Sequence, residues 1–212
     1  MYENCVVILP YIENYDRIWI QKLASSADYI ICADGGQVVA SRNGITPNVV
    51  IGDFDSTKEI IKLDCKYITY PSEKDLTDAE ACVIHALEIG ARKIIFVGGM
   101  GGRLDHTLGA LALPVKYNKD GISIEYIDKS NHVRLLENGS ITIDKSDNYK
   151  YFSVIPAYAN ASGVSIKGAK YPLDNVILER ASTLGISNEI IAEKCQISVT
   201  KGSIYIIESN DR

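Results

Sequence analysis

The first 125 residues alternate short, continuously apolar, β-branched runs with longer amphipathic stretches, and no other feature of the chain restricts its fold as tightly. A strand that is apolar on both faces must be covered on both faces, which is the condition of a parallel sheet with helices on each side. The runs predict strands over 5–9, 29–33, 49–51, 66–70, 93–97 and 122–127, with helices over 15–26, 36–43, 77–89 and 103–117. Gly44 and Gly90 stand where a glycine ends a helix, and Thr77-Asp78-Ala79-Glu80 has the spacing of a capping box. Pro114 is expected to kink or shorten the last helix, since it donates no backbone hydrogen bond. Alternating β and α segments predict an α/β fold, a mostly parallel open sheet with flanking helices.

The rest of the chain follows another grammar. Runs over 132–137 and 140–144 flank Asn138-Gly139, a strong two-residue hairpin signal. Further strands are predicted over 149–155, 163–167, 193–200 and 203–208, with Lys201-Gly202 as a second turn. No useful helical period appears, so this part is predicted to be a smaller antiparallel β-sandwich. The expected domains are 1–127 and 128–212.

Composition narrows the function classes. With 46% hydrophobic and 23% charged residues, disorder is excluded as the general state. No apolar run approaches the ~18 residues of a membrane span, and Met1-Tyr2-Glu3-Asn4 lacks the basic start of a secretion signal. The five cysteines are scattered, with no Cys-x-x-Cys, which counts against a zinc ribbon and predicts reduced thiols in a cytoplasmic protein. Residues 1–125 hold 12 Lys/Arg against 17 Asp/Glu, while residues 126–212 hold 10 of each. An acidic half lacks the basic face that a nucleic-acid groove requires, so neither nucleic acid nor membrane is an expected partner.

The acids are not spread as a solvated surface would spread them. Ligands of a parallel α/β sheet bind just past the carboxyl ends of its strands. There the chain places Asp34-Gly35-Gly36, Gly52-Asp53-Phe54-Asp55-Ser56, Asp75-Leu76-Thr77-Asp78 and Gly98-Gly99-Met100-Gly101-Gly102-Arg103-Leu104-Asp105-His106. Six aspartates (34, 53, 55, 75, 78 and 105) are therefore expected on one sheet edge. Such a crowd of like charges calls for a cation, and carboxylate oxygens with substrate phosphates are the setting Mg²⁺ prefers. The glycine run can offer backbone N–H groups to a phosphate, and Arg103 suits its bidentate recognition.

Other nucleotide motifs are absent. There is no Gly-x-x-x-x-Gly-Lys-Ser/Thr, and the glycine run lacks the third glycine of a dinucleotide fingerprint. Asp53-Phe54-Asp55-Ser56-Thr57 does match the nucleophile signature of haloacid dehalogenase-like phosphatases, with Asp53 as phosphoryl acceptor. Against that reading, Gly52 interrupts the usual strand-to-Asp junction and no later acidic pair follows.

Taken together, the four blocks resemble the thiamine pyrophosphokinase family, and Lys170-Tyr171-Pro172-Leu173 and Gly185-Ile186-Ser187-Asn188-Glu189 resemble its thiamine-binding region. The resemblance implies transfer of the pyrophosphoryl group of ATP to the thiamine hydroxyl, giving thiamine diphosphate and AMP. It also implies a homodimer whose active sites are completed across the dimer. On this reading Asp53, Asp55 and Asp78, supported by Asp34, hold Mg²⁺. Asp34, Gly35, Asp75, Gly99, Gly101, Gly102 and Arg103 face ATP. Asp105 accepts the hydroxyl proton or orients the substrate, and Ser187 and Asn188 meet the aminopyrimidine of thiamine. A catalytically silent sensor of thiamine or nucleotide with the same architecture is the alternative from another class.

Overall fold

The structure, a computed structural model, describes residues 2–12, 16–54, 61, 63–71, 75–119 and 121–211. It divides into two compact units, Met1–Lys129 and Ser130–Arg212.

The first unit runs β1 (Asn4–Ile8), α1 (Arg17–Ser25), β2 (Tyr29–Ala33), α2 (Gly36–Arg42), β3 (Val49–Gly52), β4 (Lys66–Thr69), α3 (Asp78–Glu88), β5 (Lys93–Val97), α4 (Leu104–Tyr117) and β6 (Ser123–Ile127). Its strands are all parallel, in the order β6-β5-β1-β2-β3-β4. The winding therefore reverses between β1 and β5, the position where open α/β sheets bind their ligands. Val6 and Ile8 of β1 pack with Ile20 and Ala24 of α1 and Val39 and Ala40 of α2. The intervening Cys5 and Val7 are also fully buried, so the sheet is covered on both faces as its apolar runs require. Burial pushes the Cys5 thiol up to about 12, which makes it a packing group rather than a nucleophile.

Side chains fix the helix ends. Asp16 caps α1 by accepting from the Trp19 N–H at 3.0 Å, and Thr77 caps α3 by accepting from the Glu80 N–H at 3.2 Å. Glu80 departs from the expected capping box. Its carboxylate instead accepts from Lys116 Nζ at 2.5 Å and the Tyr117 hydroxyl at 2.8 Å, tying α3 to α4. The Lys116 hydrogen bond holds the Glu80 carboxyl below its usual value of 4.5. Stability from this carboxylate is complete above about pH 4.5 and is lost as pH falls through the depressed folded value. Glu80→Gln should therefore flatten the acid limb of the melting temperature against pH; an unaltered limb would mean the tie contributes nothing.

Pro114 does not end α4, which continues to Tyr117. The missing proline N–H leaves the Ala110 carbonyl without its helical donor, and the hydroxyl of the fully buried Tyr126 donates to that carbonyl at 2.8 Å. A neighbouring strand thus supplies the bond that the helix lost.

The second unit comprises β7 (Asn131–Asp144), β8 (Tyr151–Pro156), β9 (Ala161–Lys167), β10 (Leu173–Leu178) and β11 (Lys194–Ser209). All pairings are antiparallel, in the order β10-β9-β11-β7 with β8 also on β11. Two expected turns are corrected. Asn138-Gly139 and Lys201-Gly202 do not reverse the chain; each lies inside one long strand. They form a single irregularity, because the β7–β11 register shifts between Val199 and Ser203 and the Gly202 N–H donates to Asn138 Oδ1 at 2.9 Å. Positive φ at Asn138 (43°) and Gly202 (108°) bends the pair instead of folding it back.

The bend also changes which alternate residues point inward. Cys195, Ile197 and Val199 are buried before it and Ile204 and Ile206 after it; on β7 the change runs from Leu136 to Ile141. Both strands switch together, so one core, which also takes Phe152 and Val154 of β8 and Val164 and Ile166 of β9, is fed by both halves of β11. The expected sandwich is thus an antiparallel sheet folded about a common core. β10 was not expected as a strand. Its polar Asp174-Asn175, positive φ at Asn175 (49°) and irregular register on β9 hide the alternation.

Candidate active site

The carboxyl ends of β1, β2, β3 and β5, with the first residue of α3, open on a cavity of about 710 Å³. Four of the six expected aspartates line it: Asp34, Asp53, Asp78 and Asp105. Asp55 lies outside the described residues. Asp75 is exposed and does not line the cavity, and Gly35 and Gly102 sit beside lining residues without lining it themselves.

Two glycines make the acidic corner possible. Asp34 follows β2 with φ 40° and donates its N–H to the Ile51 carbonyl at 2.7 Å. A Cβ on Gly52 would lie 3.0 Å from both Cα and Cβ of Asp34, a crowded contact that glycine avoids where the ends of β2 and β3 approach. Asp53 comes next in sequence and is thereby carried to the cavity. On the other side of Asp34, a Cβ on Gly36 would lie 2.1 Å from the Ile8 carbonyl oxygen, so α2 can start only against a bare backbone.

The glycine loop is less open than its composition implies. Gly98, Gly99, Gly101 and Gly102 all have positive φ. The Gly98 N–H, however, donates to the Ile127 carbonyl at 3.1 Å and the Gly99 N–H to the Tyr11 carbonyl at 2.8 Å. Their N–H groups seat the loop on its neighbours and are not available to a phosphate. The N–H groups of Gly101 and Gly102 make no hydrogen bond among the described residues.

Arg103 and Asp105, assigned to different ligands from the sequence, hold each other. Arg103 donates from Nε to Asp105 Oδ1 at 3.1 Å and from Nη2 to Oδ2 at 2.6 Å. The His106 N–H also donates to Oδ1 at 3.0 Å. The Arg103 hydrogen bonds, more than the others, hold the Asp105 carboxyl below its usual range, so in this arrangement it is a weak base.

Sequence reasoning missed the contribution of β1. Leu9, Pro10 and Tyr11 line the cavity, and Tyr11 also anchors Gly99. They carry no charge and no glycine, but they follow a parallel strand as the acidic blocks do, and that position was their one legible signal.

Among the described residues no three His, Cys, Asp or Glu side chains come close enough to cage a metal ion. Mg²⁺ does not ask for a cage. One or two carboxylates, substrate phosphates and water complete its shell, and Asp34, Asp53 and Asp78 facing one cavity fit that demand.

In the second unit Ser187 is exposed, with φ 57°, and its N–H donates to Ser153 Oγ at 3.0 Å. Asn188, expected to meet thiamine, has its amide engaged within the protein. It is 2% exposed; its Oδ1 accepts from the N–H groups of Tyr171 (3.0 Å) and Glu189 (2.9 Å), and its Nδ2 donates to the Tyr171 carbonyl at 2.7 Å. An amide so engaged clamps residue 171 against residue 188.

Two family models match the chain: "Thiamin pyrophosphokinase, catalytic domain" over 20–126 and "Thiamin pyrophosphokinase, vitamin B1 binding domain" over 139–204. A thiamine pyrophosphokinase of Bacillus subtilis is 38% identical over 186 residues, spanning 85% of this chain and 87% of its own. The chain belongs to the thiamine pyrophosphokinase family. A thiamin pyrophosphokinase 1 of Caenorhabditis elegans is 26% identical across 89% of this chain and 82% of its own. A solved thiamine pyrophosphokinase from Bacillus subtilis superposes with a TM-score of 0.84 at 32% identity, covering 98% of this chain and all of its own. The yeast enzyme, at 17% identity and a TM-score of 0.82, shares the fold. These likenesses favour neither the dehalogenase-like phosphatase nor the silent sensor. The thiamine pyrophosphokinase catalytic model ends at 126, so every described cavity residue lies within its span except Leu9, Pro10 and Tyr11.

Proposed function

We propose that this chain transfers the pyrophosphoryl group of ATP to the hydroxyl of thiamine, releasing AMP and thiamine diphosphate. The observation that carries this reading is the meeting of four aspartates, Arg103 and Gly101, with its open N–H, around one cavity in a chain of this family. The thiamine hydroxyl oxygen bonds to the β-phosphorus of ATP while the bond from that phosphorus to the α–β bridging oxygen breaks. Negative charge grows on the phosphate oxygens and on departing AMP, and the Gly101 and Gly102 N–H groups with Arg103 are the donors placed to meet it. Asp34, Asp53 and Asp78, with Asp55 next along the chain, are the residues that would hold Mg²⁺. Bound there, Mg²⁺ offsets phosphate charge as a Lewis acid. Asp105 receives or orients the hydroxyl proton, and the acidic wall suits the cationic thiazolium of thiamine.

The vitamin B1 binding model over 139–204 supports a thiamine role for the second unit, with the exposed Ser187 hydroxyl as a polar contact and Asn188 behind it. A homodimer is part of the proposal, supported by the apolar side chains left open at Ile177, Leu184, Ile186 and Ile191. A cytoplasmic setting is also part of it, supported by five cysteines that form no disulfide among the described residues.

Metal dependence tests the acidic wall. Without a cation, a triphosphate facing these carboxylates meets like charge, which costs several kcal/mol. Chelating Mg²⁺ should weaken binding of α,β-methylene-ATP by about tenfold or more by calorimetry. Binding that is indifferent to the chelator would remove the acids from the donor site.

A further inference from the structure

We propose that Arg103 and Asp105 form a latch opened by the phosphate donor, so that the donor must engage Arg103 before Asp105 can serve the cationic acceptor. The proposal rests on the pyrophosphokinase reading and deepens it, since it sets an order of binding at the same site. Both hydrogen bonds of the pair are direct, at 3.1 and 2.6 Å, and match the fork of a guanidinium to the two oxygens of one carboxylate. While the pair is closed, the guanidinium offers those two donors to Asp105 and not to a phosphate. The carboxylate, in turn, is neutralised and offers little to a cation. In the closed state the two functions compete for the same Nε–Nη2 edge of the guanidinium.

The partners differ in how firmly they are held. Asp105 lies in the first turn of α4, and the His106 N–H fixes its Oδ1 at 3.0 Å. Arg103 precedes the helix in extended backbone (φ −76°, ψ 117°), and its side chain makes no capping bond. Their side chains are 71% and 65% exposed, and an ion pair this open to water is weak. A triphosphate carries several charges and arrives where the Gly101 and Gly102 N–H groups add further donors, so it outcompetes a single carboxylate for the guanidinium. Arg103 is the part that moves and Asp105 the part that stays, now carrying its full charge towards the cavity that both line.

The coupling has a definite sign. Donor and acceptor should each tighten the other, by the same factor at equilibrium, in the ~5-fold or greater range of ordinary site–site coupling. A residue that only binds phosphate would affect donor affinity alone. The latch predicts something less obvious: removing Arg103 should improve thiamine binding when no donor is present, because Asp105 is then permanently free.

The test is thiamine binding to the full-length protein by calorimetry, with and without α,β-methylene-ATP and Mg²⁺, for wild type, Arg103→Gln, Asp105→Asn and the double variant. Wild type should bind thiamine ~5-fold or more tightly with the donor analogue present. Arg103→Gln should bind thiamine more tightly than wild type without it, and Asp105→Asn in the same chain should erase that gain. Inorganic tripolyphosphate with wild type should reproduce part of the donor effect, since the latch responds to phosphate and not to the nucleoside. Circular dichroism and melting of each variant separate loss of fold from loss of binding. If wild type forms thiamine diphosphate but Arg103→Gln leaves donor-free thiamine affinity unchanged or lower, the latch is overturned and the enzymatic reading stands. If wild type binds thiamine in neither condition, the reading fails and takes the latch with it.

Discussion

Asp53→Asn is expected to lower turnover at saturating substrates by about a hundredfold or more while leaving the melting temperature unchanged or raised. Asp53 follows Gly52, on which a Cβ would lie only 3.0 Å from Cα and Cβ of Asp34, and it lines the same cavity as Asp34 and Asp78. A carboxylate that helps hold Mg²⁺ supports several kcal/mol of transition-state charge stabilisation, and each 1.4 kcal/mol is a factor of ten. An amide keeps the shape but is a poor ligand. It also removes one of several crowded negative charges, so the folded state gains or holds even. Steady-state kinetics over a Mg²⁺ titration, with a thermal melt, checks both halves. Near-normal turnover at saturating Mg²⁺ would remove Asp53 from the metal assignment.

Gly36→Ala is expected to cause a large loss of stability in the first unit. Its Cβ would lie 2.1 Å from the Ile8 carbonyl oxygen and 2.9 Å from the Ile8 carbonyl carbon, and backbone cannot step aside as a side chain can. Either α2 lifts from β1 or the end of β1 shifts, at a cost of about 3 kcal/mol. For a domain of this size that is a fall of roughly 6–12 °C in melting temperature. Gly35→Ala is the control, because its Cβ would meet Pro10 Cβ at 3.2 Å, a contact a few tenths of an ångström relieves. If both variants melt alike, the close approach at Ile8 is not what makes residue 36 glycine.

The parallel sheet was legible because strands buried on both faces cannot hide their apolar runs, and each is bounded by a glycine, an aspartate or a cap. The antiparallel unit was legible as strands, β10 apart, but not as connections. Asn138-Gly139 and Lys201-Gly202 permit positive φ, and a chain can use that freedom to turn back or to bend; which one follows depends on whether a partner strand bends beside it. The sequence of β7 alone does not contain β11.

The site shows the same division. Acids after strands announce themselves, and Asp34, Asp53, Asp78 and Asp105 meet as their positions imply. What sequence could not show is which donors are already engaged. Gly98 and Gly99 look as available as Gly101 and Gly102 until Ile127 and Tyr11 are seen to hold them, and Asn188 looks like a ligand group until Tyr171 is seen to hold its amide. Arg103 and Asp105, two residues apart, carry no mark of their mutual grip.

The central claim is the reaction, and one measurement addresses it most directly. The purified protein is incubated with thiamine, ATP and Mg²⁺, and the nucleotide and thiamine products are separated and quantified over time. Thiamine diphosphate and AMP should appear in equal amounts, with neither formed when thiamine or Mg²⁺ is omitted. ADP with thiamine monophosphate would make the chain a simple kinase, and free phosphate without any thiamine ester would make it a phosphatase; either result contradicts the account.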